Sequence, residues 1–130
     1  MIDKNKPPQY SQKIKETIEM LKQAEADYKW HFDKTGELDR QTQDILHELE
    51  LKQHTYAERA KLATKLTKVR KLRREHKNIA QATQPIFEFL QSEKGKQIYN
   101  LLREVQGKSI KVEEYHALRI YIPRVTEVNQ

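Results

Sequence analysis

The chain has 130 residues, 36% of them apolar and 34% charged, and 25 Lys or Arg against 19 Asp or Glu leave a net charge of +6. That balance is sparse for a deep globular core and argues for one elongated module. No cysteine is present, which excludes disulfides and thiolate metal centres. No run approaches the eighteen apolar residues of a membrane span, so a cytoplasmic protein with no membrane partner is expected.

Residues 1–9 are polar, with Pro7 and Pro8, and read as a flexible arm. From Ser11, the residues Ile14, Ile18, Leu21, Ala24, Tyr28 and Phe32 recur every three or four positions and share one helix face. The spacing predicts a first helix ending near Asp33, with Lys34-Thr35-Gly36 as a turn in which glycine takes the left-handed conformation. A second, long central helix then runs from Glu37 with no further Gly or Pro before Pro85. Its apolar positions include Leu38, Ile45, Leu49, Tyr56, Leu66, Val69, Leu72 and Ile79. The heptad phase also holds across Gly36, which leaves one continuous helix as the alternative to a hairpin.

Pro85 predicts the next boundary, since it restricts the residue before it and suits a first helical turn. Phe87, Leu90, Ile98, Leu101, Leu102 and Val105 share a face of a third helix, which Gly107 is placed to end. A fourth starts with Ser109 as its cap and offers Val112, Tyr115 and Leu118 for burial. Pro123 closes the pattern, leaving 120–130 as an extended tail. The expected fold is therefore all-α, with a helical hairpin or coiled coil at 10–84 and two shorter C-terminal helices at 85–119. Short connections favour antiparallel neighbours. That places residue 10 near 60, and the helix from Pro85 back along 59–80. A rod two helices thick leaves part of each apolar stripe open, so a homodimer is the expected cover.

The positive charge is concentrated in Lys61 to Lys77, which holds eight Lys or Arg and one Glu. Lys61/Lys65, Arg70/Arg74 and Arg73/Lys77 are like-charged pairs four apart, each destabilising a helix by about 0.2–0.5 kcal/mol. Such a run suits an acidic partner surface or a phosphate backbone. Lys65, Lys68, Arg70, Lys71, Arg73, Arg74 and Lys77 are the candidate contact residues. Trp30 and, in the tail, Tyr121 and Arg124 join them, because aromatic and arginine side chains dominate binding energetics.

Signals for chemistry are few. Asp44, His47, His54 and Glu58 would share an arc of about 80° on one long helix, and Glu113-x-x-His116 repeats an acid-x-x-His spacing found in di-metal bundles. The two histidines, however, would stand about 10 Å apart along the axis, too far to share one metal, and the arc points away from the apolar stripe. No metal or cofactor is therefore expected. Neither a phosphate-binding glycine loop nor H-E-x-x-H occurs, and Ser11, Ser92 and Ser109 sit where helix caps explain them. An enzyme is not expected.

Three segments of the central helix, Gln43 to Leu51 (QDILHELEL), Tyr56 to Ala63 (YAERAKLA) and Val69 to Arg74 (VRKLRR), together with the tail Tyr115 to Val125, carry a resemblance. They are similar to small uncharacterised helical proteins encoded by phages and prophages of Gram-positive bacteria. The likeness spans about residues 38 to 125. It implies a small accessory role in the cytoplasm of a bacterial host and supplies no reaction. The sequence is thus read as a non-enzymatic, phage-type accessory protein that binds a host or phage protein through a long helical surface. The alternative is nucleic-acid binding through the basic helix 61–77.

Overall fold

The computed structural model describes residues 9–118. They form three helices and no strand: α1, Tyr10–Leu51; α2, Tyr56–Gln91; and α3, Glu93–Leu118. The fold is all-α, as the apolar periodicity requires. Most of the arm expected at 1–9 and all of the tail expected at 120–130 lie outside the described residues, as do Tyr121 and Arg124.

The helix boundaries differ from the expected ones, and each difference has a physical reason. Gly36 does not turn the chain; it lies inside α1, and no described glycine has a positive φ. Glycine in a helix interior costs only about 1 kcal/mol relative to alanine. The apolar positions on either side, Ala24 and Leu38, are both buried and keep the helix continuous. The turn comes instead at residues 52–55, where Thr55 caps α2: its hydroxyl accepts from the Glu58 N–H at 3.2 Å, and the Glu58 carboxylate accepts from the Thr55 N–H. This reciprocal capping box satisfies two orphan donors at once. Its signature, Thr55-x-x-Glu58, stands in the sequence.

Pro85 likewise lies inside α2. The ring removes one backbone hydrogen bond, but Pro85 is on the exposed side, where water can take the freed carbonyl. The chain breaks instead at Ser92, whose backbone is extended (φ −72°, ψ 155°). The Ser92 hydroxyl donates to the Phe89 carbonyl at 2.6 Å and accepts from the Gly95 N–H at 3.0 Å, so it caps α3. Gly95 is buried there, and a Cβ at that position would stand 1.6 Å from the Phe89 oxygen. Only glycine allows the two helix ends to approach so closely. Gly107 and Ser109 lie within α3, so a single helix replaces the two expected C-terminal ones.

Contacts between helices follow antiparallel order. Nearest the turn, Leu38 and Ile45 of α1 cluster with Val69 of α2, flanked by Leu49, Leu62 and Leu66. Further along come Asp39 with Arg73, His31 with His76, Tyr28 stacked on Phe87 at 4.3 Å, and Glu25 with Gln91 at 3.1 Å. Past the break, Lys22 lies 6.0 Å from the Tyr99 ring centroid, and Ser11 bonds Glu113. Thus α3 continues the path of α2 along the N-terminal part of α1, and does not fold back along 59–80. The basic segment lies beside the C-terminal half of α1, not beyond its end. The core is correspondingly thin: Ile18, Ala24, Leu38, Ile45, Val69, Ala80 and Leu90 are its buried apolar residues.

Candidate interaction surface

The basic residues sit on α2, where Lys65, Lys68, Arg70, Lys71, Arg74 and Lys77 are all exposed. They do not form one stripe. At 100° per residue, Arg70, Arg74 and Lys77 fall within about 60° of one another, Lys65 and Lys68 lie on the opposite edge, and Lys71 points outward. Arg73 is set apart: it is half-buried and its guanidinium donates to the Asp39 carboxylate, the ion pair that joins α1 to α2 among the described residues.

Arg73 and Lys77 also border an open groove of about 350 Å³ between α1 and α2. Tyr28 and Phe32, with ring centroids 5.7 Å apart, form its aromatic wall, and the bare backbone of Gly36 leaves room beside them. Sequence reasoning missed this groove because it requires α1 to continue past Gly36 and meet the second half of α2.

Trp30 is half-exposed and off the apolar stripe, as its helical phase predicts. It does not stand alone. Its ring meets His31 edge-on at 4.8 Å and His76 at 5.4 Å, and the Lys34 ammonium lies 5.6 Å from its centroid. The two imidazoles share a hydrogen bond, Nδ1 to Nδ1, at 2.8 Å. One ring must donate and the other accept, so the bond exists only while at least one is neutral.

The acid and histidine residues Asp44, His47, His54 and Glu58 are dispersed. Asp44 and His47 are exposed on α1, whereas His54 and Glu58 belong to the turn and the first turn of α2. His54 Nε2 donates to the Glu48 carbonyl at 3.0 Å, and Nδ1 lies 3.2 Å from the Glu58 carboxylate. Hydrogen bonds from His54, then from the Thr55 side chain and backbone, hold the Glu58 carboxyl below its ordinary value. Glu113 caps α1 across the molecule, accepting from the Ser11 N–H at 3.3 Å and from its hydroxyl, where Gln9 provides no side-chain cap.

Apolar exposure is the surface's other property. On α2, Leu72, Ile79 and Phe89 are exposed, and on α3 Ile98, Leu101, Val105 and Val112 are 44–57% exposed. The periodicity places Ile98, Leu101 and Val105 on one face with Leu90 and Leu102. Only the side of that face turned toward α1 is covered. A second open groove, of about 390 Å³, is lined by Lys22, Glu25, Leu90, Lys96, Tyr99 and Asn100. The Tyr99 hydroxyl is buried without a hydrogen-bond partner. No helix of the described residues is long and apolar enough to cross a membrane. No protein-family model, curated protein or solved structure matches the chain.

Proposed function

We propose that this chain is a non-enzymatic accessory protein of phage type, built as an elongated antiparallel hairpin, that acts by binding a host or phage protein through its helical flanks. One observation carries the reading. Among the described residues seven apolar side chains are buried, while sixteen large apolar ones are exposed. Scattered surface leucines are ordinary, but apolar side chains repeating along one flank mark contact surfaces for other macromolecules. The test is capture from a bacterial lysate on immobilised protein, with and without nuclease. Retention that survives nuclease, varies little with salt and drops when Trp30 is truncated to alanine is the expected result. Retention abolished by nuclease removes this reading.

A second reading, nucleic-acid binding, rests on Arg70, Arg74 and Lys77 sharing one edge beside the Tyr28–Phe32 groove. With four to six phosphate contacts, log K falls with log salt at a slope of about −4 to −5. Replacing Arg70 and Arg74 together by alanine then lowers the slope's magnitude by nearly two. No binding to DNA or RNA at about 50 mM salt eliminates it.

A further inference from the structure

His31 and His76 lie 45 positions apart in the chain, near the middle of α1 and of α2, and both are half-buried. The antiparallel register aims their rings at each other, with the two Nδ1 atoms 2.8 Å apart. Trp30 packs against both, its ring centroid 4.8 Å from the His31 imidazole and 5.4 Å from that of His76. The two rings are thus presented by two helices and braced from one side. Little side-chain freedom remains to be lost when they take a ligand together.

Two imidazole nitrogens this close suit a particular coordination geometry. With metal–nitrogen bonds of about 2.0 Å, a tetrahedral ion needs its nitrogens about 3.3 Å apart, whereas a separation of 2.8 Å corresponds to an angle of about 90°. A right angle between nitrogen donors belongs to the square-planar or tetragonal ions Cu²⁺ and Ni²⁺, for which imidazole is a preferred ligand. Mg²⁺ and Ca²⁺ require oxygen donors instead. In the neutral hydrogen-bonded pair one Nδ1 carries a proton. On metal binding that proton moves to Nε2 of the same ring, so the pair stays neutral and both Nδ1 lone pairs face the ion. Two cations beside the pair are themselves matched, Lys34 with Glu37 at 3.2 Å and Arg73 with Asp39, which limits their repulsion of a metal ion.

We propose that His31 and His76 form a two-histidine site for a divalent transition-metal ion of square-planar habit, Cu²⁺ before Ni²⁺, that bridges α1 to α2. The order of the two ions follows their general affinity for nitrogen donors. No group of three or more His, Cys, Asp or Glu able to hold a metal occurs among the described residues, so water or a donor from another molecule takes the remaining positions. The ion replaces the shared proton as the link between the helices. The sequence expectation of no metal concerned a different set, Asp44, His47, His54 and Glu58, and histidines 45 positions apart meet only through the fold. The site stands or falls independently of the protein-binding reading.

The test uses the full chain, whose single tryptophan is Trp30. Bound Cu²⁺ quenches an adjacent indole, so titration with copper(II) chloride alone removes most of the Trp30 fluorescence at one equivalent. The thermal unfolding midpoint rises by roughly 10 °C at a hundred-fold excess over the dissociation constant, because the ion binds only the folded chain. Magnesium chloride does neither. His31→Asn and His76→Asn each put an amide where Nδ1 stood, which keeps a hydrogen bond to the other ring but is a poor copper ligand. Each retains helicity and raises the dissociation constant roughly tenfold or more, whereas His47→Ala leaves it unchanged. Electron paramagnetic resonance of the Cu²⁺ complex shows two equatorial nitrogens in the unsubstituted chain. Quenching that survives in both Asn variants marks an adventitious ion on other side chains and overturns the site. Quenching without a rise in midpoint, or a single equatorial nitrogen, overturns the bridge, and the nitrogen count decides even where a variant loses helicity.

Discussion

The two ends of the rod solve the same packing problem differently. Near the turn, Leu38, Ile45 and Val69 meet across α1 and α2 with Leu62 and Leu66 at the margin, and the outer faces carry charge. Beyond the Ser92 break, Ile18 is the buried apolar side chain on α1, accompanied by Lys22 near the Tyr99 ring and Ser11 on Glu113, while Ile98, Leu101, Val105 and Val112 face outward. Between the helices, apolar side chains cluster more closely at one end, and more of them are left exposed on the flank at the other. A stripe of fixed width cannot be fully buried by one neighbouring helix, so the choice of which flank to cover decides where the molecule is closed and where it is open.

This contrast is broken most directly by truncating one residue from each region. Ile45→Ala removes a buried side chain and costs about 3 kcal/mol, whereas Leu101→Ala, already 57% exposed, changes the stability of the isolated chain by less than about 0.5 kcal/mol. Urea denaturation of both variants at low protein concentration measures the difference. Equal losses erase the distinction between closed and open ends.

The helix break gives the next largest effect. Gly95→Ala forces a methyl against the Phe89 carbonyl and destabilises by roughly 2–3 kcal/mol as the backbone shifts to make room. Loss of hydrogen-exchange protection confined to α3 and the first turns of α1 is the expected pattern. A neutral Gly95→Ala would mean that the break is not held by this close approach.

At the turn, Thr55→Ala costs about 1 kcal/mol by deleting the cap. The accompanying Glu58 carboxyl is depressed in the folded chain, so its contribution is fully present above its ordinary value of 4.5 and is lost as pH falls through the lower folded value. Stability therefore declines on acidification below about pH 4.5, and Glu58→Gln flattens that part of the profile. An unchanged acid limb in Glu58→Gln would place the acid sensitivity elsewhere.

The smallest effect is a gain. Gly36→Ala stabilises by about 0.5–1 kcal/mol, because the added methyl meets only the end of the Arg40 side chain at 3.7 Å, an ordinary contact. A loss of stability would return the turn to Gly36.

Helical class and inward face were legible because a 3.6-residue period survives any choice of boundaries; Ile18, Leu38, Ile45 and Val69 are buried as the pattern requires. The boundaries were not, for a reason of magnitude. Gly36, Pro85 and Gly107 look like punctuation, yet penalties of about 1 kcal/mol for glycine and about 3 for proline are outweighed by continuous packing on both sides. Thr55-x-x-Glu58 was readable but hidden by Leu49, Tyr56 and Ala63, whose shared heptad phase crosses the turn by coincidence. In the folded chain Tyr56 is 90% exposed. The need for glycine at 95 could not be read locally, since it depends on where α3 meets the end of α2. The exposure of Trp30 followed from its helical phase. The grouping of Trp30 with His31 and His76 required the register of α1 against α2, and that register moves with the turn.

The bond between Ser11 and Glu113 brings the start of α1 beside the end of α3. Mechanically, this makes the molecule a zipper with both pull-tabs at one end. Tension applied between residues 11 and 113 acts on the terminal contact first, then on Lys22 and Tyr99, then on Glu25 and Gln91, one rung at a time toward the turn at 52–55. No rung shares the load with the next. The open end yields first under force, and the compact cluster of Leu38, Ile45 and Val69 is the last to part.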